Sequence, residues 1–277
     1  MTRPACALSV TSESPVAPPV SLRVRDEPAY VLHHYDWSES SLIAELWSRH
    51  HGRVAVVAKG AKKPASQLRG VLLPLQILSV HWSGDGEIRT LKGAQWGGGL
   101  VMPQGDALLA GLYLNELVLR TLARDDPHPA LFEVYDAAVR GLHDEAQRSG
   151  VLRAFELLWL QGLGVLPALH LSGSAQRPLQ DEVRYRLEPE LGLQVSEAEG
   201  LSGAQWRVLA QAFAAQQWSE AGVQHCVAWE PVLRVQLRKL LHYHSGLSAF
   251  RTRQLWLDVG VAGQRARQRG AASGQGF

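Results

Sequence analysis

The pattern of apolar and polar positions changes once along the chain, near residue 105. Before it, short apolar runs rich in branched and aromatic side chains alternate with turn residues, which is typical of β-strands. Pro74 interrupts the longest run, so we expect that strand to bend or to lie at an edge. A Gly-Asp-Gly sequence before the last run predicts a hairpin. The predicted strands are 29–37, 41–47, 52–58, 70–82 and 84–96.

From Asp106 onward the apolar period lengthens to that of an α-helix. With Asp106 as the N-cap, one face of the first helix would carry Leu108, Leu112, Leu119 and Leu122. The sequence "DDPHP" ends this helix and starts the next. Further helices are predicted at 129–147, 151–164, 202–216 and 230–246, and the last of these would turn Val232, Val235 and Leu240 inward. The stretch 167–200 has no clear period.

These elements predict an α+β chain, in which an N-terminal five-stranded barrel of the oligonucleotide-binding (OB-fold) type precedes an all-α helical domain. We place the barrel at 28–105 and the helical domain at 106–260. Residues 1–27 are rich in Ser and Pro and predict a disordered tail, and the basic residues 261–277 predict a flexible one.

The composition fits a folded protein of the cytoplasm. The chain has 277 residues, of which 46% are hydrophobic and 19% charged, so it can bury a sizeable core. It lacks the apolar run of about 18 residues that a membrane helix needs, and its start is unlike a signal peptide. The two cysteines, Cys6 and Cys226, lie far apart and imply no disulfide framework.

The net charge of +2 conceals an uneven distribution. Residues 28–105 hold 8 basic and 5 acidic side chains, whereas residues 106–260 hold 14 and 18. Two segments each contain five cations and no carboxylate: Arg53, Lys59, Lys62, Lys63 and Arg69, and then Arg234, Arg238, Lys239, Arg251 and Arg253. Such segments favour a polyanionic partner, and two solvated surfaces remain the alternative.

The first of these segments, "GRVAVVAKGAKKPASQLRG", does not form a phosphate loop of a nucleotide hydrolase. That motif needs Gly followed by Lys and then Ser or Thr, with another Gly five residues earlier. Here Ala61 follows Gly60, Gly52 lies eight residues before Gly60, and no hydroxyl residue follows Lys62 or Lys63. A strand that runs into a basic loop for phosphate contacts is the remaining interpretation.

No catalytic or metal-binding motif emerges from the sequence. The eleven histidines include two adjacent pairs, but neighbours in a strand point to opposite faces and do not chelate together. No H-E-x-x-H, C-x-x-C or G-x-S-x-G motif occurs. We therefore predict no metal, no cofactor and no enzymatic activity.

Four of the nine tryptophans fall in the barrel region: Trp37, Trp47, Trp82 and Trp96. Aromatic side chains interleaved with cations suit base stacking beside a neutralised backbone. Packing in the core or at the rim is the alternative, and we prefer it for Trp47.

Several segments resemble the RecO family of bacterial recombination mediators and DNA-repair proteins. They are "YDWSESSLIAELWSRHHGRVAVVAKGAKKPASQL", "GLYLNELVLRTLARDDPHPALFEVYDAAV", "LRAFELLWLQGLG" and "LRKLLHYHSGLSAFRTRQLW", in the family's order. The resemblance covers about residues 28–257. Many members carry four zinc-binding cysteines in the region that matches about 170–200, and this chain has none there, so we do not transfer zinc to it.

The resemblance implies binding to single- and double-stranded DNA, annealing of complementary strands, and help to RecR in loading RecA onto DNA coated by single-strand-binding protein. It also implies a nucleoid-associated protein of the cytoplasm. We expect the ten cations named above to bind DNA. The resemblance further implies that the helical domain receives the acidic, Phe-terminated tail of single-strand-binding protein, and we assign that site to Leu109, Tyr113, Arg120 and Arg124.

Two other classes of function stay open at this point. The barrel could deliver nucleic acid to an enzymatic site in the helical domain, or the basic loop could bind an acidic protein. A catalytic site would need clustered carboxylates or a nucleophile beside a histidine, and Asp125 and Asp126 look like helix-capping residues instead.

Overall fold

A computed structural model describes residues 23–99, 101–246 and 250–252 of the chain. An N-terminal barrel is followed by a part made mostly of helices, so the chain is α+β as predicted. The predicted C-terminal tail, 261–277, lies outside the described residues. Within the part described, no helix has the length and apolar character to cross a membrane.

The barrel closes because its first strand is long enough to pair on both sides. Its elements are β1 (Arg23–Asp36), β2 (Leu42–Ser48), β3 (Gly52–Ala58), α1 (Gln67–Val71), β4 (Ile77–Ser83) and β5 (Ile88–Trp96). The first half of β1 pairs with β4 and the second half with β2. The closed order is β1–β2–β3–β5–β4, in which β3 and β5 are parallel and the other neighbours antiparallel. The apolar interior includes Val31, Val54, Val56, Leu78, Val80 and Trp82.

The start of the barrel differs from the prediction. The predicted tail extends to residue 27, whereas β1 begins at Arg23. Val24 is buried and pairs with Trp82 of β4, so tertiary packing orders a segment whose composition alone resembles a tail.

The predicted strand 70–82 is also wrong in its first half, while its hairpin with β5 is confirmed. The chain forms helix α1 and a loop before β4 begins. Pro74 has no N–H for a central ladder, and Leu72 is buried against the barrel interior instead.

The second part contains both helices and a small sheet, so the prediction of an all-α domain is wrong. Its helices are α2 (Gly105–Thr121), α3 (Pro129–Gly141), α4 (Arg148–Gly162), α5 (Gly203–Ala212), α6 (Glu220–Ala228) and α7 (Glu230–Ser245). Its strands are β6 (Leu171–Ser172), β7 (Arg177–Pro178), β8 (Arg184–Glu188), β9 (Gly192–Val195) and β10 (Leu201–Ser202), in the order β10–β8–β9–β6–β7. Strands β6, β7 and β10 have only two residues and cannot show a period, whereas β8 alternates between polar and apolar residues and was not recognised as a strand.

Helix α2 buries a different face from the one predicted, whereas α7 buries Leu240 and packs Val232 against the core as predicted but exposes Val235. The N-cap of α2 is Gln104 rather than Asp106, which lies in the first turn. The buried side chains of α2 include Ala110, Leu114, Leu117 and Val118, whereas Leu108, Leu112 and Leu119 are half-buried. In α7 Leu233, Leu237 and Leu240 are buried, and Val235 is 58% exposed. Because α2 packs against the barrel and other helices, its buried stripe is wide and rotated from the leucine positions.

The barrel interior is one apolar cluster, and the outer side of the barrel packs into a second cluster, the core of the helical part, through Tyr30, Leu32, Trp47 and Leu75. Trp47 of β2 is buried, as predicted, and its indole meets three rings edge-on, those of Phe132, Tyr135 and Trp159. The buried Asn115 of α2 donates to backbone carbonyls of β1 and accepts from the Tyr135 hydroxyl. The barrel is therefore held firmly on the helical part.

Candidate nucleic-acid interface

Residues 59–66, which we call the basic loop, follow β3 directly. Gly60 has φ +71°, a conformation that glycine adopts without a Cβ penalty. Lys59 and Lys63 are exposed and form no ion pair with any described residue. The Lys62 ammonium is 2.6 Å from the Asp36 carboxylate and donates to the Ser38 carbonyl at 2.9 Å. Two loop cations are therefore uncompensated, and the third holds neighbouring backbone.

Exposed aromatic side chains lie next to this loop. The backbone N–H of Lys62 donates to the Ser40 carbonyl at 2.9 Å, which ties the basic loop to the β1–β2 connection. That connection begins with Trp37, whose side chain is 61% exposed, and Tyr35 at the end of β1 is 50% exposed. The arrangement places ring faces for stacking beside cations for phosphates.

Two other cations of the first segment have different positions. The guanidinium of Arg53 donates to the Leu119 carbonyl at the end of α2, and its Nε lies 3.9 Å from the Glu45 carboxylate. Its side chain is only 17% exposed, so Arg53 joins the barrel to the helices and does not form part of an open surface. Arg69 is exposed in the last turn of α1.

The predicted second basic surface is not assembled on α7. Arg234 lies 3.6 Å from Glu230, and Lys239 is ion-paired with Glu188. Arg238 lines a cavity, and Arg251 donates its backbone N–H to Glu116. Arg253 lies outside the described residues. Carboxylates therefore neutralise part of the positive charge of α7. The spacing of the cations in the sequence did not reveal this neutralisation.

The four residues assigned to a partner's acidic tail do not form one site. Helix α2 ends at Thr121, so Arg124 is not on it, and the Arg124 guanidinium is ion-paired with the buried Glu45 of β2. Arg120 is exposed in the last turn of α2. Leu109 is half-buried on the same helix, and Tyr113 faces a cavity between α2, α4 and α7.

This cavity has a volume of about 560 Å³. Its apolar walls are Leu152, Leu241 and Phe250, and its cations are Arg148, Arg153, Arg234 and Arg238. The Tyr113 hydroxyl donates to the buried Glu156 carboxylate at 2.7 Å, and Arg153 also lies 2.7 Å from that carboxylate. Burial raises the pKa of Glu156 despite this arginine. The cavity thus combines apolar walls with four arginines and four carboxylates, those of Asp106, Glu145, Glu156 and Glu230.

Three further cations of the barrel were not among the predicted DNA-binding residues: Arg23, Arg25 and Lys92. They line a groove on the outer face of β1, β4 and β5. The two arginines had been assigned to the tail, and Lys92 stands in an otherwise ordinary strand. The alternating "RVR" around the buried Val24 is the local signal that could have placed them in a strand.

The described residues contain no group of three His, Cys, Asp or Glu side chains that could hold a metal ion. Cys226 is fully buried, and burial raises the pKa of its thiol to about 12. A thiol with that pKa stays protonated at neutral pH and is a poor nucleophile and metal ligand.

Comparison with known proteins agrees with this architecture. The model for the N-terminal part of recombination protein O matches residues 23–98, and the model for its C-terminal part matches residues 102–221. A DNA repair protein RecO from Polaromonas naphthalenivorans is 53% identical over 244 residues, covering 86% of this chain and 98% of that protein. The DNA repair proteins RecO from Verminephrobacter eiseniae and Delftia acidovorans are each 53% identical to this chain, and each match covers 86% of it and 97% of the other protein. The chain belongs to the RecO family.

Proposed function

We propose that this chain is a mediator of DNA repair and homologous recombination. It binds single- and double-stranded DNA, anneals complementary strands, and helps RecR to load RecA onto DNA coated by single-strand-binding protein. It acts without a cofactor, in the cytoplasm and associated with the nucleoid. The observation that carries the proposal is the basic loop, in which Lys59 and Lys63 are uncompensated beside the exposed Trp37.

The barrel supports this proposal by its topology. A five-stranded barrel that begins with a long strand and closes β3 on β5 has the arrangement expected of an OB-fold. In such barrels the face of strands 2 and 3 and the loop between strands 1 and 2 commonly hold oligonucleotides. The basic loop follows β3 and is hydrogen-bonded to the β1–β2 connection.

Binding by these groups is expected to be insensitive to sequence. Ammonium groups contact phosphate oxygens, which carry no base information, and a tryptophan face stacks on any base. Neutralised phosphates repel one another less, so two strands held on the same protein can meet and pair. None of these steps consumes nucleotide.

The acidic tail of single-strand-binding protein requires an apolar slot and nearby cations. We propose that it enters the cavity that Tyr113 faces, because Leu152, Leu241 and Phe250 are apolar and Arg148 lines the cavity without an ion pair to a described residue. This replaces a site that includes Arg124, which lies beyond the end of α2 and does not line the cavity. Arg120 remains a second place for the tail because it is exposed on the same helix as Tyr113.

Strand annealing in the absence of nucleotide tests the proposed function. Two complementary labelled oligonucleotides, bare or coated with single-strand-binding protein, are mixed with the purified chain, and duplex formation is followed by fluorescence. We expect the chain to accelerate annealing, and Lys59→Gln with Lys63→Gln to remove most of the acceleration. A chain that binds an acidic protein but neither binds DNA nor accelerates annealing would contradict the proposal.

A further inference from the structure

A groove of about 270 Å³ lies on the outer face of the barrel. None of its lining residues belongs to the basic loop. The cations that line it are Arg23, Arg25 and Lys92, and none of the lining residues is a carboxylate. All three are exposed and form no ion pair with a described residue. Three uncompensated cations around one groove favour an anionic ligand.

Two β-bulges place these cations. The pairing of β1 with β4 slips between Val24 and Glu27, and the pairing of β5 with β4 slips between Leu91 and Gly93. Both slips lie beside His81 of β4. Bulges re-aim side chains and often occur next to binding sites. Here the extra residues put Arg25 on one side of His81 and Lys92 on the other.

The His81 imidazole is fixed between the two bulges. Its Nδ1 accepts the backbone N–H of Asp26 at 3.0 Å, and a Cβ on Gly93 would lie 3.2 Å from its Cδ2. The Asp26 carboxylate, which is 82% exposed, lies 3.8 Å from the other ring nitrogen. The groove therefore has an ordered floor at His81, and the Asp26 carboxylate beside that ring does not line the groove.

The strand register connects this groove to the basic loop. One row of paired residues crosses four strands on the outer face: Val57 of β3, Thr90 of β5, Ser83 of β4 and Arg23 of β1. The row spans three strand spacings, on the order of 14 Å. The basic loop starts two residues after Val57, and Lys92 stands two residues after Thr90 on the parallel neighbouring strand.

We propose that the groove continues the phosphate-binding surface of the basic loop, so that one single strand of nucleic acid crosses β3, β5, β4 and β1 on the outside of the barrel. The proposal rests on the proposed function and adds the path of the strand. The phosphates pass from Lys59 and Lys63 to Lys92, and then to Arg25 and Arg23. Thr90 and Ser83 supply hydroxyls along the row.

The experiment measures how the affinity for an oligothymidylate of about 15 nucleotides depends on salt, a length within the ~4–16 nucleotides that one barrel holds. The groove variant carries Arg23→Gln, Arg25→Gln and Lys92→Gln, and the loop variant carries Lys59→Gln and Lys63→Gln. A control removes three exposed cations from the small sheet of the second part: Arg177→Gln, Arg184→Gln and Arg186→Gln. Urea unfolding verifies that every variant is folded. A charge-restoring variant carries Arg23→Lys, Arg25→Lys and Lys92→Arg, and it tests whether positive charge alone supports binding.

For single strands each lost phosphate contact lowers the salt slope by about 0.7. We expect a loss of about 2 in the groove variant and about 1.4 in the loop variant, with one oligonucleotide per chain in the wild type. The control and the charge-restoring variant should keep the wild-type slope. Three outcomes would overturn the path alone. The groove variant could keep the wild-type slope, the control could lose as much slope as the groove variant, or each wild-type chain could bind two independent oligonucleotides. A wild-type chain that does not bind the oligonucleotide overturns the proposed function as well.

Discussion

Glu45 links the barrel to the helical part, and replacing it should destabilise the whole protein. Its carboxylate is 3% exposed in β2 and faces two arginines. Arg124, which lies in the segment between α2 and α3, is ion-paired with it. The Arg53 Nε lies 3.9 Å away. The substitution Glu45→Gln keeps the shape of the side chain and removes the charge.

The magnitude follows from the burial of each partner. At 3.9 Å the attraction between Glu45 and Arg53 is about 4 kcal/mol at an effective dielectric constant near 20. Removing one member of a buried pair costs about 3–5 kcal/mol because the other charge is left enclosed. The side chain of Arg124 is 42% exposed and can be hydrated after the change, so we expect a loss of about 3 kcal/mol.

Urea unfolding followed by circular dichroism and tryptophan fluorescence measures this loss. Glu133→Gln is the matched control, since its ion pair with Arg49 also joins helix to barrel but is exposed, and we expect it to cost at most about 1 kcal/mol. Because Trp47 packs among helical rings, both probes should report one transition. Equal losses in Glu45→Gln and Glu133→Gln would refute the reasoning from burial.

Further predictions concern packing, metal content, thiol chemistry and the tail site. Gly150→Ala should cost about 1–3 kcal/mol in urea unfolding, because a Cβ would lie 2.6 Å from a carbonyl oxygen of α6. The purified protein should contain no stoichiometric zinc by elemental analysis, and a chelator should leave its Tm unchanged. In a Cys6→Ser background, Cys226 should react with a thiol reagent at neutral pH only as fast as the protein unfolds. In a fluorescence titration, Arg148→Glu should weaken binding of an acidic, Phe-terminated peptide more than Arg120→Glu does; the reverse order would move the tail away from the cavity.

Periodicity predicted the elements whose environment is uniform along their length. Strand β3 has its predicted bounds, because Val54 and Val56 alternate along it and both face the barrel interior. Helix α3 begins at Pro129 as predicted but ends at Gly141 instead of residue 147. Helix α2 departs from its predicted face, because it contacts the barrel and other helices at once and buries Asn115 and Glu116 along with its apolar residues. Strands β6, β7 and β10 are too short to show alternation, and the alternation of β8 covers only five residues; without the family's cysteines no motif marks that segment.

The candidate site was predictable only in its local features. The basic loop follows from the sequence because its three lysines lie between residues 59 and 63 and the strand before it is regular. Whether a cation is free depends on contacts distant in the chain. Glu45 and Arg124 are 79 residues apart, and Glu188 meets Lys239 across 51 residues. The groove at Arg23 depends on two bulges that no composition reveals.

The salt dependence of single-strand binding in Lys59→Ala with Lys63→Ala tests the central claim most directly. Both lysines are exposed and uncompensated among the described residues, so the change removes phosphate contacts without breaking an ion pair of the fold. Lys62→Ala is the matched control, since that ammonium is already held by Asp36. We predict that the salt slope falls by about 1.4 in the double variant, equally on unrelated sequences, and by less than about 0.7 in the control. An unchanged slope in the double variant would contradict the assignment of the basic loop as the DNA-binding surface.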